Sequence, residues 1–105
     1  MAHENDPLIA RFATDAMVTV EFAPSLRRHV ACELQSVAPG PLRAVLEAAL
    51  RAAPELAHYV FDDQRAVRQH VAVFVNQQMV QDRRHLNQIL NAGDRVLVIQ
   101  ALTGG

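Results

Sequence analysis

Two periodicities alternate along this chain. Met17-Val18-Thr19-Val20-Glu21-Phe22 is rich in β-branched residues and roughly alternates apolar with polar, which predicts a strand. Ala23-Pro24-Ser25 interrupts it, because proline cannot continue a ladder. His29 to Val37 predicts a second strand, and the short gap predicts a hairpin between the two. The period then lengthens. From Gly40-Pro41 onward, Leu42, Val45, Leu46, Ala49, Leu50 and Ala53 recur at the i, i+3, i+4, i+7, i+8 spacing of one helical stripe. Glycine is acceptable at an N-cap and proline's fixed φ suits the first helical position, so the helix is expected to start there and to stop at Pro54. Arg43, Glu47 and Arg51 lie four apart on a different face, where each is placed to pair with the next. No second helix of comparable quality is predicted.

Beyond the helix, Leu56 to Arg68 is ambiguous, with Tyr59-Val60-Phe61 reading as a short strand before an Asp62-Asp63-Gln64 turn. Val71-Ala72-Val73-Phe74-Val75 is the strongest strand pattern in the chain. Asn76-Gln77-Gln78 turns it, and Met79-Val80 is placed to pair on return. Ala92-Gly93-Asp94 is a second turn signal, and Arg95 to Leu102 forms a final strand. Residues 1–15 show no period and read as a mobile or loosely docked arm. The order strand, strand, helix, strands predicts an α+β domain over residues 16–102, with a mixed four- to five-stranded sheet packed on one main helix. A single helix covers one sheet face only, which leaves the other open to solvent or a partner. On that open face the period of two places Phe74, Leu97 and Ile99, opposite Val96 and Val98. A contiguous apolar patch there marks a partner surface, unless a loop or the N-terminal arm covers it.

Composition narrows the function. With 105 residues, half of them apolar and 20% charged, the chain has the make-up of one ordinary globular domain. Its net charge of −1 argues against nucleic-acid binding, which rests on a basic face. No apolar run reaches the roughly 20 residues that span a bilayer, and the first residues lack the pattern of a signal peptide. A single cysteine, Cys32, fits a reducing compartment, so a cytoplasmic location is expected. All ten basic residues are arginine, so no side-chain amine is present.

Catalytic constellations are absent from the pattern. The five histidines, His3, His29, His58, His70 and His85, have no metal-ligand spacing and read as surface or boundary residues. Cys32 reads as a buried structural thiol rather than a reactive one. Neither Ser25 nor Ser36 sits in a nucleophile elbow. The C-terminal Thr103-Gly104-Gly105 differs. With glycine at about 7% of residues, two at the last two positions arise by chance roughly 0.5% of the time. Lacking Cβ atoms, such a tail threads a narrow channel, and its carboxylate, ionised at neutral pH, is a nucleophile toward the α-phosphate of ATP. The alternative is a frayed end that happens to be glycine-rich.

Taken together, MVTVEF, PLRAVLEAAL, VAVFVNQQMV and AGDRVLVIQALTGG resemble the ThiS/MoaD family of ubiquitin-like sulfur carriers, over about residues 17 to 105. The resemblance implies a β-grasp fold. It also implies that a ubiquitin-activating-type enzyme uses ATP to adenylate the terminal glycine, here Gly105. A persulfide donor then converts it to a thiocarboxylate, whose sulfur passes through an acceptor synthase to a precursor of molybdopterin, thiamine, cysteine or another metabolite. Carried over by position, Thr103 and Gly104 form a mobile tail, and Phe74, Leu97, Ile99 and Leu102 meet the partners. The chain would bind no cofactor of its own and would act as carrier or synthase small subunit rather than enzyme. It departs from the family pattern in having His85 where proline precedes leucine, and Arg95 where an acidic residue follows the Gly-Asp turn.

Three readings follow. A sulfur carrier accounts for Gly-Gly, the open face and the missing catalytic residues together. A ubiquitin-like protein modifier uses the same activated tail but ends in an amide bond to another protein. A non-catalytic β-grasp interaction module needs only the apolar face.

Overall fold

The computed structural model describes residues 16–23 and 34–100. Among them the chain forms strands β1 (Val18–Phe22), β2 (Gln35–Val37) and β3 (Gly40–Pro41). Helices α1 (Leu42–Leu50) and α2 (Pro54–Val60) follow, then strands β4 (Val71–Val75), β5 (Gln78–Met79), β6 (Ile89–Leu90) and β7 (Arg95–Gln100). Five strands make a mixed sheet in the order β2-β1-β7-β4-β5, and β3 pairs with β6 in a separate two-stranded ribbon. The central β1 and β7 run parallel with Val20 opposite Val96 and Phe22 opposite Val98. The remaining pairs are antiparallel. A parallel pair requires a crossover, and here the helices and β4 supply it. This is the ubiquitin-like β-grasp architecture.

The helical stripe fills the grasp. Leu42, Val45, Leu46, Ala49 and Leu50 of α1 are buried. They share one cluster with Val18, Val20 and Phe22 of β1, Val71, Val73 and Val75 of β4, and Val96 and Val98 of β7. Pro41 is the N-cap of α1, with φ −60° and ψ 144°, and no side chain caps the helix. The expected cap is therefore shifted by one residue. Its free amides are satisfied from the loop before β6 instead: Leu42 N–H donates to the Gln88 carbonyl at 2.8 Å and Arg43 N–H to the Leu86 carbonyl at 2.9 Å.

Other expectations change. The helix ends at Leu50, although Ala53 still joins the core, and Pro54, expected only to stop a helix, opens α2 at its first turn. Tyr59 and Val60, expected in a strand, are helical; only Phe61 keeps an extended contact, a bridge to Val67. Leu56 and Val60, four apart, turn α2 into the same core and outweigh the local β-propensity. Glu47 pairs with Arg65 of the following loop rather than with its helix neighbours. Arg43 reaches the Arg84 carbonyl and lies over the Phe61 ring. The second strand is Gln35–Val37, with Val18 opposite Val37. The earlier part of that predicted strand, and with it His29 and Cys32, lies outside the described residues. So do the 1–15 arm and residues 101–105.

Candidate docking face and its turn clasp

The sheet face away from the helices is built by alternation. On β7, Val96 and Val98 are buried while Leu97 and Ile99 are half-buried on the other side. Phe74 of β4 stands directly opposite Leu97, and Ala72 opposite Ile99. Register then extends one row across four strands: Glu21 opposite Leu97, Leu97 opposite Phe74, Phe74 opposite Met79. Phe74, Leu97 and Ile99 therefore share one face, and they line an open depression of about 710 Å³ with Thr19, Glu21, Leu34, Asn76, Gln77 and Arg95. Both helices contribute to the core on the opposite side, so α2 leaves this face uncovered. Leu34 and Met79, which sequence reasoning did not place in the patch, are 59% and 50% exposed. Met79 could have been found from the hairpin pairing, since a residue opposite Phe74 shares its face. Leu102, Thr103, Gly104 and Gly105 lie outside the described residues.

One end of the face is held by a clasp between two turns. The β4–β5 hairpin closes on Asn76 and Gln77, at φ 48° and 73°. Two positive values in succession form the turn whose twist matches the flanking strands. Asn76 is suited to this conformation; glutamine is less so. The Asn76 amide donates to Asp94 Oδ1 at 2.9 Å, and its Oδ1 accepts the Arg95 N–H at 2.9 Å. Its own N–H donates to the Arg95 carbonyl at 2.9 Å. Asp94 Oδ2 accepts the Asn91 N–H at 2.7 Å, closing the turn that Gly93 permits with φ 91°. The Asn91 N–H, and after it the Asn76 amide, hold the Asp94 carboxyl below its ordinary value. Two turn signals far apart in sequence thus fix the start of β7, the strand that leads to the tail.

His58, His70 and His85 are exposed, and His85 Nδ1 lies 3.3 Å from Asp82 Oδ1. Among the described residues no group of three or more His, Cys, Asp or Glu is placed to hold a metal ion. No helix among them is long and apolar enough to cross a membrane.

Among the described residues a mixed sheet grasps the helices and leaves one apolar face open, the architecture shared by ubiquitin-like carriers and modifiers. The ThiS family profile matches residues 27–105, and the chain belongs to that family. No curated protein sequence matches it. Its fold is similar to the crystal structure of SAMP1 from Haloferax volcanii, with TM-score 0.71 and 21% identity, covering 85% of this chain and 99% of that one. It is also similar to Urm1 from Sulfolobus solfataricus (TM-score 0.61, 17% identity, 78% of this chain and 97% of that one). Urm1 from Trypanosoma brucei is similar too (TM-score 0.59, 22% identity, 86% of this chain and 96% of that one). Small carrier proteins of this kind are generally not enzymes themselves.

Proposed function

We propose that this protein is a sulfur carrier whose Gly105 carboxylate is activated and then bears the transferred sulfur. The carboxylate oxygen attacks the α-phosphate of ATP on a ubiquitin-activating-type enzyme, forming an acyl-adenylate and releasing pyrophosphate. The terminal sulfur of a donor persulfide attacks the acyl carbon and AMP leaves; a second thiol of the donor system then cleaves the resulting disulfide and frees the thiocarboxylate. An acceptor synthase takes the sulfur in cofactor or metabolite biosynthesis. The chain binds no cofactor; ATP belongs to the activating enzyme. ATP and reduced thiols place this chemistry in the cytoplasm.

The observation that carries the reading is that the ThiS family match runs through Thr103-Gly104-Gly105. The geometry supports it. The last described residue of β7, Gln100, stands opposite Val71, at the Ile99 end of the apolar face. The five residues beyond it, fully extended, reach at most about 17 Å. A partner seated on Phe74, Leu97 and Ile99, with Leu102 beyond them, therefore receives the tail within that distance. Holding the activated carbon near its nucleophile contributes much of the rate, so the carrier need supply only geometry.

The test is intact-protein mass spectrometry after co-expression with the adenylating enzymes of the same genome. Exchange of one oxygen for sulfur, confined to the C-terminal peptide, is expected. One added residue after Gly105 moves the reactive carbon by about 3.5 Å and abolishes it. Conjugates to other proteins through Gly105 would replace the carrier reading with that of a modifier. Neither product, together with an unchanged phenotype on deleting both glycines, would leave an interaction module.

A further inference from the structure

The Arg95 side chain takes no part in the clasp, yet the clasp fixes the backbone that carries it. Its N–H and its carbonyl both bond to Asn76, at 2.9 Å each, and the Asn76 side chain is itself held by Asp94. The side chain is exposed and lines the same depression as Phe74, Leu97 and Ile99. Its neighbours there are uncharged: Thr19 stands directly opposite on β1, and Asn76 and Gln77 form the adjoining turn. Glu21, the carboxylate in the depression, sits one row further on, opposite Leu97. Among the described residues no carboxylate lies within ion-pair distance of Arg95.

We propose that Arg95 is the specificity-determining contact of this face: it selects an adenylating enzyme that sets a carboxylate side chain against it, beside an apolar surface covering Phe74 and Leu97. The inference rests on the carrier reading above and adds to it the chemistry of the partner. Apolar contact is non-directional, so a carrier held by its tail and an apolar row alone is free to pivot about the tail. Arg95 lies four residues from Ile99 on the same strand, about 13 Å further from the tail. It is therefore the charged group on this strand best placed to fix the carrier's rotation. A guanidinium presents a planar fork of donors that a carboxylate matches in two parallel hydrogen bonds. A polyanion is the poorer fit, because among the described residues the depression offers one cation beside Glu21, and the chain is net negative.

The experiment measures adenylation, as ATP–pyrophosphate exchange, with whichever adenylating enzyme of the same genome activates the wild-type carrier. The variants are Arg95→Gln, Arg95→Lys and Arg95→Glu. Loss of a rim ion pair predicts a KM for the carrier raised about threefold in Arg95→Gln. Like-charge contact predicts about tenfold or more in Arg95→Glu. In both, kcat at saturating carrier is unchanged, and Arg95→Lys restores part of the loss. The KM of the wild type rises with salt, and that of Arg95→Gln rises less. Replacing the facing carboxylate of the enzyme by lysine rescues Arg95→Glu. An Arg95→Glu variant with the wild-type KM and salt dependence would overturn the inference while leaving the carrier reading intact. If the wild type forms no adenylate with any such enzyme, the carrier reading falls and this inference with it.

Discussion

Along β7, Val96 and Val98 are 2% and 0% exposed, whereas Leu97 and Ile99, each one residue away, remain half-buried on the face away from the helices. The two sets of side chains are chemically alike, and they share one backbone and one ladder. What separates them is supply: both helices pack on one side of the sheet, and among the described residues nothing packs on the other. Valine at 96 and 98 holds the domain together. Leucine and isoleucine at 97 and 99 contribute less to folding and remain available for association. The strand thus alternates between residues that build the core and residues the proposed docking would use.

That division is broken most sharply by placing the same carboxylate on either face. Val98→Asp buries an ionisable group in the apolar core and should cost more than about 4 kcal/mol, leaving the domain unfolded by circular dichroism. Leu97→Asp should cost about 1 kcal/mol or less in urea denaturation while abolishing adenylation with the cognate enzyme. Unfolding of Leu97→Asp would show that both faces belong to the core.

The clasp at the start of β7 gives the next largest effect. Asn76→Ala removes the amide's bonds to Asp94 and Arg95 and places alanine at φ 48°. A loss of about 1–2 kcal/mol in chemical denaturation is expected. The Asp94 carboxyl should make part of the domain's stability depend on acid. Because the Asn91 N–H and the Asn76 amide hold its folded pKa below the ordinary 3.8, the unfolded chain binds the proton more readily. The contribution is complete above about pH 5 and is lost as pH falls through the folded pKa. Thermal melts of wild type and Asp94→Asn should therefore converge on acidification; a constant gap down to about pH 2 would exclude this origin. The smallest effect is a gain. Gln77 occupies φ 73°, where glycine is at ease, so Gln77→Gly should stabilise the hairpin by about 0.5 kcal/mol, read as a higher midpoint in urea.

Much of the candidate site was legible in the sequence. The alternation of Val71 to Val75 and of Arg95 to Gln100 assigned Phe74, Leu97 and Ile99 to one face, and the structure places them there. Leu34 and Met79 were not assigned to it, because an isolated leucine and a two-residue return strand carry no period of their own. Nor was α2 visible: its two inward residues, Leu56 and Val60, are too few to make a stripe, and Tyr59-Val60-Phe61 carries a local strand preference. Packing on α1 and the sheet overrides that preference.

The sequence by itself determined where β1, β4, β7, the main helix and the turns at Asn76 and Gly93 fall, because those follow from the spacing of apolar side chains and the torsional limits of proline, glycine and asparagine within a few residues. It also determined the terminal Gly-Gly on which the proposed chemistry rests. Only the tertiary structure decided that β1 and β7 lie side by side and that the free amides of α1 end on the carbonyls of Leu86 and Gln88. It alone decided that Asn76 clasps Asp94 and sets Arg95 beside the apolar depression. Each of these joins residues 18 or more positions apart, where no local preference reaches and only the geometry of the closed core selects the partner.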